Sequence, residues 1–472
     1  MFKERVKTSI IVMLLLNCVF LTYQMWFKSG MLGADWPHFS FADLPFVRLF
    51  IGQEVTVSVP KENLSKPRKI VINDGGLWIP YYNTDEAFDN LDEKTSDILR
   101  SVLKGNAKRS GAISYDKWLN YLSEPSVYVE YPISVSPRML SMVLNTSFEK
   151  FPSDISSIKD AIIIPEGDDA VRVAIRDAKT DEAMEFYIED EKLSFPEEVL
   201  SMFAAKYPRD GYYEFAYTTL LGDTLGGSVG IDDLVLFSDN DSVYRDIKAA
   251  NPLEGKKHAD VLKGFSFDPN PLRHYPDQFG AESYVENYAT VRIFPDGYIE
   301  YSAVDPEKGI DLGKSKDNQY EILNAAIDFA EKLWSGVSTE PLTVLVSGIE
   351  TTQTGHRFTF DYYYGGREIA VSLEKNGVQP LYHAIEIVTY GNKIVSYRQY
   401  LRRYEQADSV TMQENFVSAL DYFITLFENG NHTITDLYPG YFDTGENSVT
   451  LKTTWLSRVD TSDERYPKKQ MP

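Results

Sequence analysis

Gly226-Gly227-Ser228-Val229-Gly230 satisfies the G-x-S-x-G pattern that presents a nucleophilic serine on a sharp strand-to-helix turn. Asp260 and His274 follow in the chain order of a Ser…Asp…His triad, so Ser228 is the nucleophile that an anchored hydrolase would use. The flanks oppose this chemistry. A polar Gly-Asp-Thr-Leu-Gly-Gly precedes the serine, and the strand-like Ile-Asp-Asp-Leu-Val-Leu-Phe follows it where an elbow needs a helix. The stretch reads as a glycine-rich turn, and the chain is expected not to be an enzyme.

Other candidate chemistry fails on spacing. The histidines His38, His258, His274, His356, His383 and His432 show no H-E-x-x-H arrangement. Asp239-x-Asp241 opens like a calcium loop, but Val243 stands at the next ligand position and the required glycine is missing. Adjacent acids such as Asp168-Asp169 and Asp232-Asp233 point to opposite sides of a strand and form no glycosidase pair. No phosphate loop and no dinucleotide fingerprint occur. No cofactor and no metal are expected. The tyrosine-rich run 358–364 is read as covering a half-exposed sheet rather than as a sugar platform.

Composition narrows the classes further. The net charge of −23 over 472 residues repels phosphate backbones, which argues against nucleic acid as a partner. A single cysteine excludes a disulfide framework and Cys-based metal or cluster sites. The charge is unevenly distributed, because the first 30 residues carry +3 and leave −26 on the rest. Between the basic flanks, Thr8 to Phe27 is a 20-residue stretch without a charge, long enough as a helix to span about 30 Å of hydrocarbon. Tyr23 and Trp26 suit an interface, and Lys3, Arg5 and Lys7 place the N-terminus in the cytoplasm. Tyr23-Gln24-Met25-Trp26 offers no small-residue cleavage site, so an uncleaved signal anchor is expected, with the main body extracytoplasmic and Cys18 as an apolar filler within the span. Asn17 and Gln24 lie seven residues apart on one helical stripe of that span, and their carboxamides are candidates for contact with a partner transmembrane helix.

Pattern predicts the elements behind the span. Residues 28–45 read as a linker. A hairpin turns on Asp74-Gly75-Gly76, and a helix follows with Phe88, Leu91, Ile98, Leu99, Val102 and Leu103 on one face and Gly105 as its stop. A strand at 126–135, a helix from Pro137 and strands at 161–165, 170–176 and 185–188 complete a first domain, 46–190. Ser194 and Glu197 have capping-box spacing at the head of the next helix. Strands are read at 212–219 and 231–237, a hairpin turns on Pro295-Asp296-Gly297, and 303–318 reads as a linker, giving a domain of 191–310. The domain 311–465 holds a helix with Ile322, Ala326, Phe329, Ala330 and Leu333, strands over 341–402, a helix with Phe416, Ala419, Leu420, Phe423 and Phe427, and a final strand at 448–456. The class is α+β with antiparallel sheets, behind a tail (1–7) and a transmembrane helix (8–27). Val291-x-Ile293, Gly297, Ile299 and Tyr301 are echoed by Ile385-x-Ile387, Gly391, Ile394 and Tyr397, which suggests two related units.

GFSFDPNPLRHY at 264–275, leading into ATVRIFPDGYIEYSAVDPEKG with Glu300-Tyr301 at the strand end, resembles the middle region of the YycH family. KIVSYRQYLRRYE at 393–405, SALDYFITLFENG, ITDLYPGYF and the late Trp455 resemble the C-terminal part that YycH and YycI share. The resemblance covers the span and roughly 195–460. It implies a non-enzymatic, membrane-anchored regulator with an N-terminal domain and two related α+β domains. Such a regulator modulates a sensor histidine kinase of the WalK type, which controls cell-wall metabolism, alongside a YycI-like sister protein. An anchored wall hydrolase and an exported ligand-binding or adhesion module are the competing expectations.

Overall fold

The computed structural model describes residues 66–468, apart from 83–84, 86, 149–150, 153, 194, 209–212, 217–228, 239–242, 254–257, 268–272, 287, 315–317, 335–341, 375–377, 413–414, 431, 447–448 and 461. No helix among the described residues is long and apolar enough to cross a membrane. The expected span 8–27, with Asn17 and Gln24, lies outside them.

The first layer is a seven-stranded antiparallel sheet. Its strands are β1 (Lys69–Asn73), β2 (Trp78–Tyr82), β3 (Lys108–Ile113), β4 (Ser126–Val135), β5 (Ile158–Glu166), β6 (Ala170–Asp177) and β7 (Ala183–Glu189), in the order β2-β1-β4-β5-β6-β7-β3. Side chains alternate across a strand, so Ile70 and Ile72 face one way and Val71 the other. Both faces are covered. Helices α1 (Phe88–Leu103), α3 (Pro137–Val143) and α4 (Glu197–Lys206) pack with Ile70, Ile72, Val127 and Val129, while α2 (Tyr115–Ser123) sets Trp118 against Val71, Tyr128 and Ile162. Cover on both faces is why residues 70–72 in β1 and 161–164 in β5 read as unbroken apolar runs.

The hairpin and α1 stand where the sequence places them, and Gly105 follows α1 with φ +77°. Three expectations need correction. Between α1 and Pro137 lie β3 and α2, which the periodicity did not reveal; β3 is a mostly exposed edge strand of Lys-Arg-Ser-Gly-Ala-Ile without an apolar face. Helix α4 begins at Glu197 with Pro196 as N-cap and no side-chain cap, so Glu197 does not occupy the capping-box position. The segment 303–318 is not a free linker: Asp305 caps a short 3-10 turn at Pro306–Lys308, and Ile310 and Asp311 pair with Ile394 and Lys393.

The remaining strands are β8 (Tyr213–Phe215), β9 (Val229–Ile231), β10 (Leu236–Ser238), β11 (Val243–Ala250), β12 (Arg273–Pro276), β13 (Glu282–Val285), β14 (Ala289–Ile293), β15 (Tyr298–Ala303), β16 (Ile310–Asp311), β17 (Leu342–Thr351), β18 (His356–Tyr364), β19 (Arg367–Val371), β20 (Ile385–Tyr390), β21 (Lys393–Tyr400), β22 (Arg403–Met412), β23 (His432–Asp443), β24 (Val449–Leu451), β25 (Thr453–Val459) and β26 (Ser462–Pro467). Fourteen of them form one long sheet along the path β12-β13-β14-β15-β21-β20-β18-β19-β23-β25-β26, with β16 on β21, β17 on β18 and β9 on β23. Its pairings are antiparallel except at β19–β23 and β9–β23. Helices α5 (Ala259–Gly264) and α6 (Gln319–Trp334) cover one face near its middle, and α7 (Phe416–Phe427) covers the β23–β25 end.

The two echoed hairpins are β14–β15 and β20–β21. They meet through their second strands, so Tyr301 stands opposite Tyr397. Phe265 stacks on Tyr301 at 5.3 Å and meets Tyr397 edge-on at 5.4 Å, which closes this part of the core. The run 358–364 is a strand, as expected, but it is buried rather than half exposed: Phe358, Phe360 and Tyr362 enter the core, and Tyr363 on the opposite face is also covered.

Candidate functional site

Strand alternation puts Thr359, Asp361 and Tyr363 on the face of β18 turned away from the aromatic core. Glu368 of β19 stands opposite Tyr363 in register. Two arginines arrive from the far strands: Arg458 of β25 pairs with Glu368, and Arg465 of β26 bonds Glu368 Oε1 at 2.9 Å and pairs with Asp361. Arg458 Nε donates to the Tyr438 hydroxyl at 3.0 Å, and Tyr363 donates to Glu368 at 3.1 Å. The first layer docks on this seam. β4 lies against β17, and Arg68, just before β1, reaches both Glu130 (3.2 Å) and Asp436 of β23 (2.5 Å), while Lys69 holds Glu130 at 2.9 Å.

Burial works against the charged form of each carboxylate here, yet the neighbours win. Arg68 and Lys69 hold Glu130 well below the usual carboxylate range, and Arg465 with His383 do the same for Asp361. Glu368 is lowered by Arg458 and Arg465, and Asp436 by Arg68 and Lys69. A buried, fully paired network of this kind adds little net stability over an apolar core, but it penalises any arrangement that separates its members. Its chemistry is that of an orientation device between the first layer and the long sheet.

The same seam contains the residue types of a hydrolytic triad. Ser347 Oγ lies 3.1 Å from His383 Nδ1, and the same nitrogen lies 3.0 Å from Asp361 Oδ1. A triad needs the acid on one ring nitrogen and the serine on the other. Here one nitrogen serves both, His383 and Asp361 are 4 % and 1 % exposed, and Arg465 neutralises the acid. With Nδ1 engaged by Asp361, His383 is not placed to activate Ser347 as a triad base would.

Ser228 lies outside the described residues, but Val229 directly after it begins a strand, not the helix of an elbow. Asp260 sits on α5 and pairs with Lys263 at 3.6 Å. His274, on β12, is hydrogen-bonded to Glu282 and stacked on Tyr284 at 4.7 Å. Asp239 and Asp241 lie outside the described residues, among which no group of His, Cys, Asp or Glu is placed to hold a metal. Sequence reading missed the seam because its members are scattered from Arg68 to Arg465. The available signal was the acid at Asp361 inside an otherwise aromatic strand, a buried position that demands a partner.

The fold matches a crystal structure of YycH from Bacillus subtilis, with a TM-score of 0.56 at 10 % identity over 87 % of this chain and 97 % of that one. At that identity the likeness is one of fold. A second match, an uncharacterized protein from Eubacterium rectale solved at 1.45 Å, covers 50 % of this chain and 87 % of its own at 11 % identity, but its TM-score of 0.29 carries no argument. No protein-family model matches the chain, and no curated protein matches it in sequence.

Proposed function

We propose that this protein is a non-enzymatic, membrane-anchored regulator that modulates a WalK-like sensor histidine kinase controlling cell-wall metabolism, acting with a YycI-like sister protein. The observation that carries the reading is the YycH-like fold over nearly the whole of the neighbour's chain. The uncharged segment Thr8–Phe27 with its basic N-terminal flank supports a type II single-pass anchor and an extracytoplasmic body.

Regulation then runs through two parts of the chain. Asn17 and Gln24 offer amides to another span, where such bonds contribute roughly 0.6–2 kcal/mol. Within the exported body, Arg68 is tied to both the first layer and β23. A body whose first layer and long sheet are held together in this way can present one fixed face to a kinase sensor domain.

The test is co-reconstitution of the full chain with a WalK-like kinase and a YycI-like protein in lipid nanodiscs, reading autophosphorylation. A change of several-fold on adding the full chain is expected, and replacing both Asn17 and Gln24 by Leu weakens co-purification. An unchanged kinase rate together with no cross-linked complex in membranes would overturn the reading.

A further inference from the structure

Among the described residues many aromatic rings are hidden: Tyr298, Tyr301, Tyr362, Tyr397, Tyr400, Tyr404 and Tyr441 are among the largest fully buried side chains. Tyr275 and Phe279 depart from this, at 50 % and 42 % exposure. They line one depression of about 500 Å³ at the β12 edge of the long sheet. The depression is shallow and open to solvent, the form that receives an extended ligand along one side.

The depression is built rather than incidental. Asp277 Oδ1 accepts from the N–H of Phe279 at 2.8 Å and of Ala281 at 3.0 Å, and Gly280 turns the chain with φ +86°. Asp277 Oδ2 receives Arg292 Nε at 2.9 Å, and the same guanidinium donates to Glu300 at 2.8 Å. Arg292 lies 5.8 Å from the ring of Phe279 and 4.9 Å from that of Phe294. The backbone of the turn that carries Phe279 is therefore held before any ligand arrives, which lowers the ordering cost of binding.

The charge pattern selects the ligand class. Arg292 is the one cation among the described lining residues, and two carboxylates already occupy it. A phosphate or carboxylate ligand would find its one counter-charge already neutralised and would face Asp277. What the lining offers instead is two half-exposed aromatic rings, Tyr275 and Phe279, with Gln278 and Thr290 beside them. Apolar ring faces next to neutral hydrogen-bonding groups suit a ligand with C–H faces and hydroxyls and no charge.

We propose that this depression, framed by Tyr275 and Phe279, binds a neutral oligosaccharide. The site goes beyond the kinase-regulator reading and does not depend on it, because binding is measured with no kinase present. The full chain in lipid nanodiscs is titrated with chitotetraose and with maltotetraose, and saturation transfer to the sugar protons is followed by NMR. Saturable binding of at least one sugar is expected, and the preference between them tells acetamido sugars from other neutral glycans. Tyr275→Ala and Phe279→Ala should each weaken binding by about ten-fold, the loss of one aromatic contact. Both rings are half exposed, so melting temperatures should stay near that of the parent protein. Phe279→Tyr should retain binding. No binding of either sugar would overturn the proposal, as would alanine variants that bind like the parent or inorganic phosphate competing for the same site.

Discussion

Arg68 and Asp436 form an ion pair at 2.5 Å that joins the residue before the first strand to the long strand β23 near the end of the chain. The contact is ionic rather than an aligned hydrogen bond, and Glu130 shares the guanidinium from the other side at 3.2 Å. The pair therefore ties the start of the seven-stranded sheet to the fourteen-stranded one.

Arg68→Ala leaves Glu130 and Asp436 short of their main counter-charge in a covered site. Removing one partner of such a pair costs about 3 kcal/mol. Urea unfolding should show that loss, and adding Asp436→Ala to Arg68→Ala should restore part of it, since the double variant no longer strands that acid. A double variant with fully additive losses would mean the two residues do not interact.

Acid should loosen the seam. Asp361 is held below its ordinary range against burial by Arg465 and His383, so its folded value lies beneath the unfolded one near 4. Its contribution is therefore complete above about pH 4 and is lost as pH falls further toward the folded value. Melting temperature measured from pH 7 down to pH 3 should drop below about pH 4, and Asp361→Asn should be less stable at pH 7 with a shallower acid limb.

Asp92 on α1 has the opposite sign. Burial, against the bond from Ser96, raises its carboxyl to about 6. Its stabilisation is thus complete below the unfolded value near 4 and lost as pH rises through about 6. Asp92→Asn should stabilise the protein by about 1 kcal/mol at neutral pH, discounted for partial exposure, and the gain should vanish in acid. Thermal melts of the two proteins at pH 7.5 and pH 4 compare these directly.

Gly297 tests the docking of the β14–β15 hairpin tip. Its φ is +97°, and a Cβ there would stand 2.4 Å from the Leu401 carbonyl oxygen, a backbone atom with nowhere to move. Gly297→Ala should cost about 2 kcal/mol or more through strain and clash. Hydrogen exchange at Leu401, whose N–H donates to the Gly297 carbonyl at 3.0 Å, should rise selectively.

A fluorophosphonate probe separates the regulator from a serine hydrolase. No covalent labelling of the full chain is expected, because Ser347 shares His383 Nδ1 with Asp361, which leaves that nitrogen no freedom to act as a base toward the serine. Labelling that disappears in Ser228→Ala would restore the hydrolase reading.

Periodicity was legible wherever an element buries one clear stripe. Helix α7 buries Phe416, Ala419, Leu420, Phe423 and Phe427, and α6 buries Ile322, Ala326, Phe329, Ala330 and Leu333, all as spaced in the sequence. It failed at β3 and at β26, whose Ser-Asp-Glu-Arg-Tyr-Pro shows no apolar alternation and is held by pairing with β25. The echo between the two hairpins was also visible, but their meeting at Tyr301 and Tyr397 was not, since strand neighbours are chosen by long-range hydrogen bonding.

The sequence by itself determined the local elements, the α+β class and the uncharged N-terminal segment, because each follows from the spacing of apolar residues and charges along the chain. Only the tertiary structure decided which charges are buried together. Arg68, Glu130, Glu368, Asp436, Arg458 and Arg465 each look like ordinary surface residues in one dimension, and Asp361 alone stands out, as an acid among aromatics. They become a seam because two sheets cover them, and a covered charge persists only where the fold delivers its opposite.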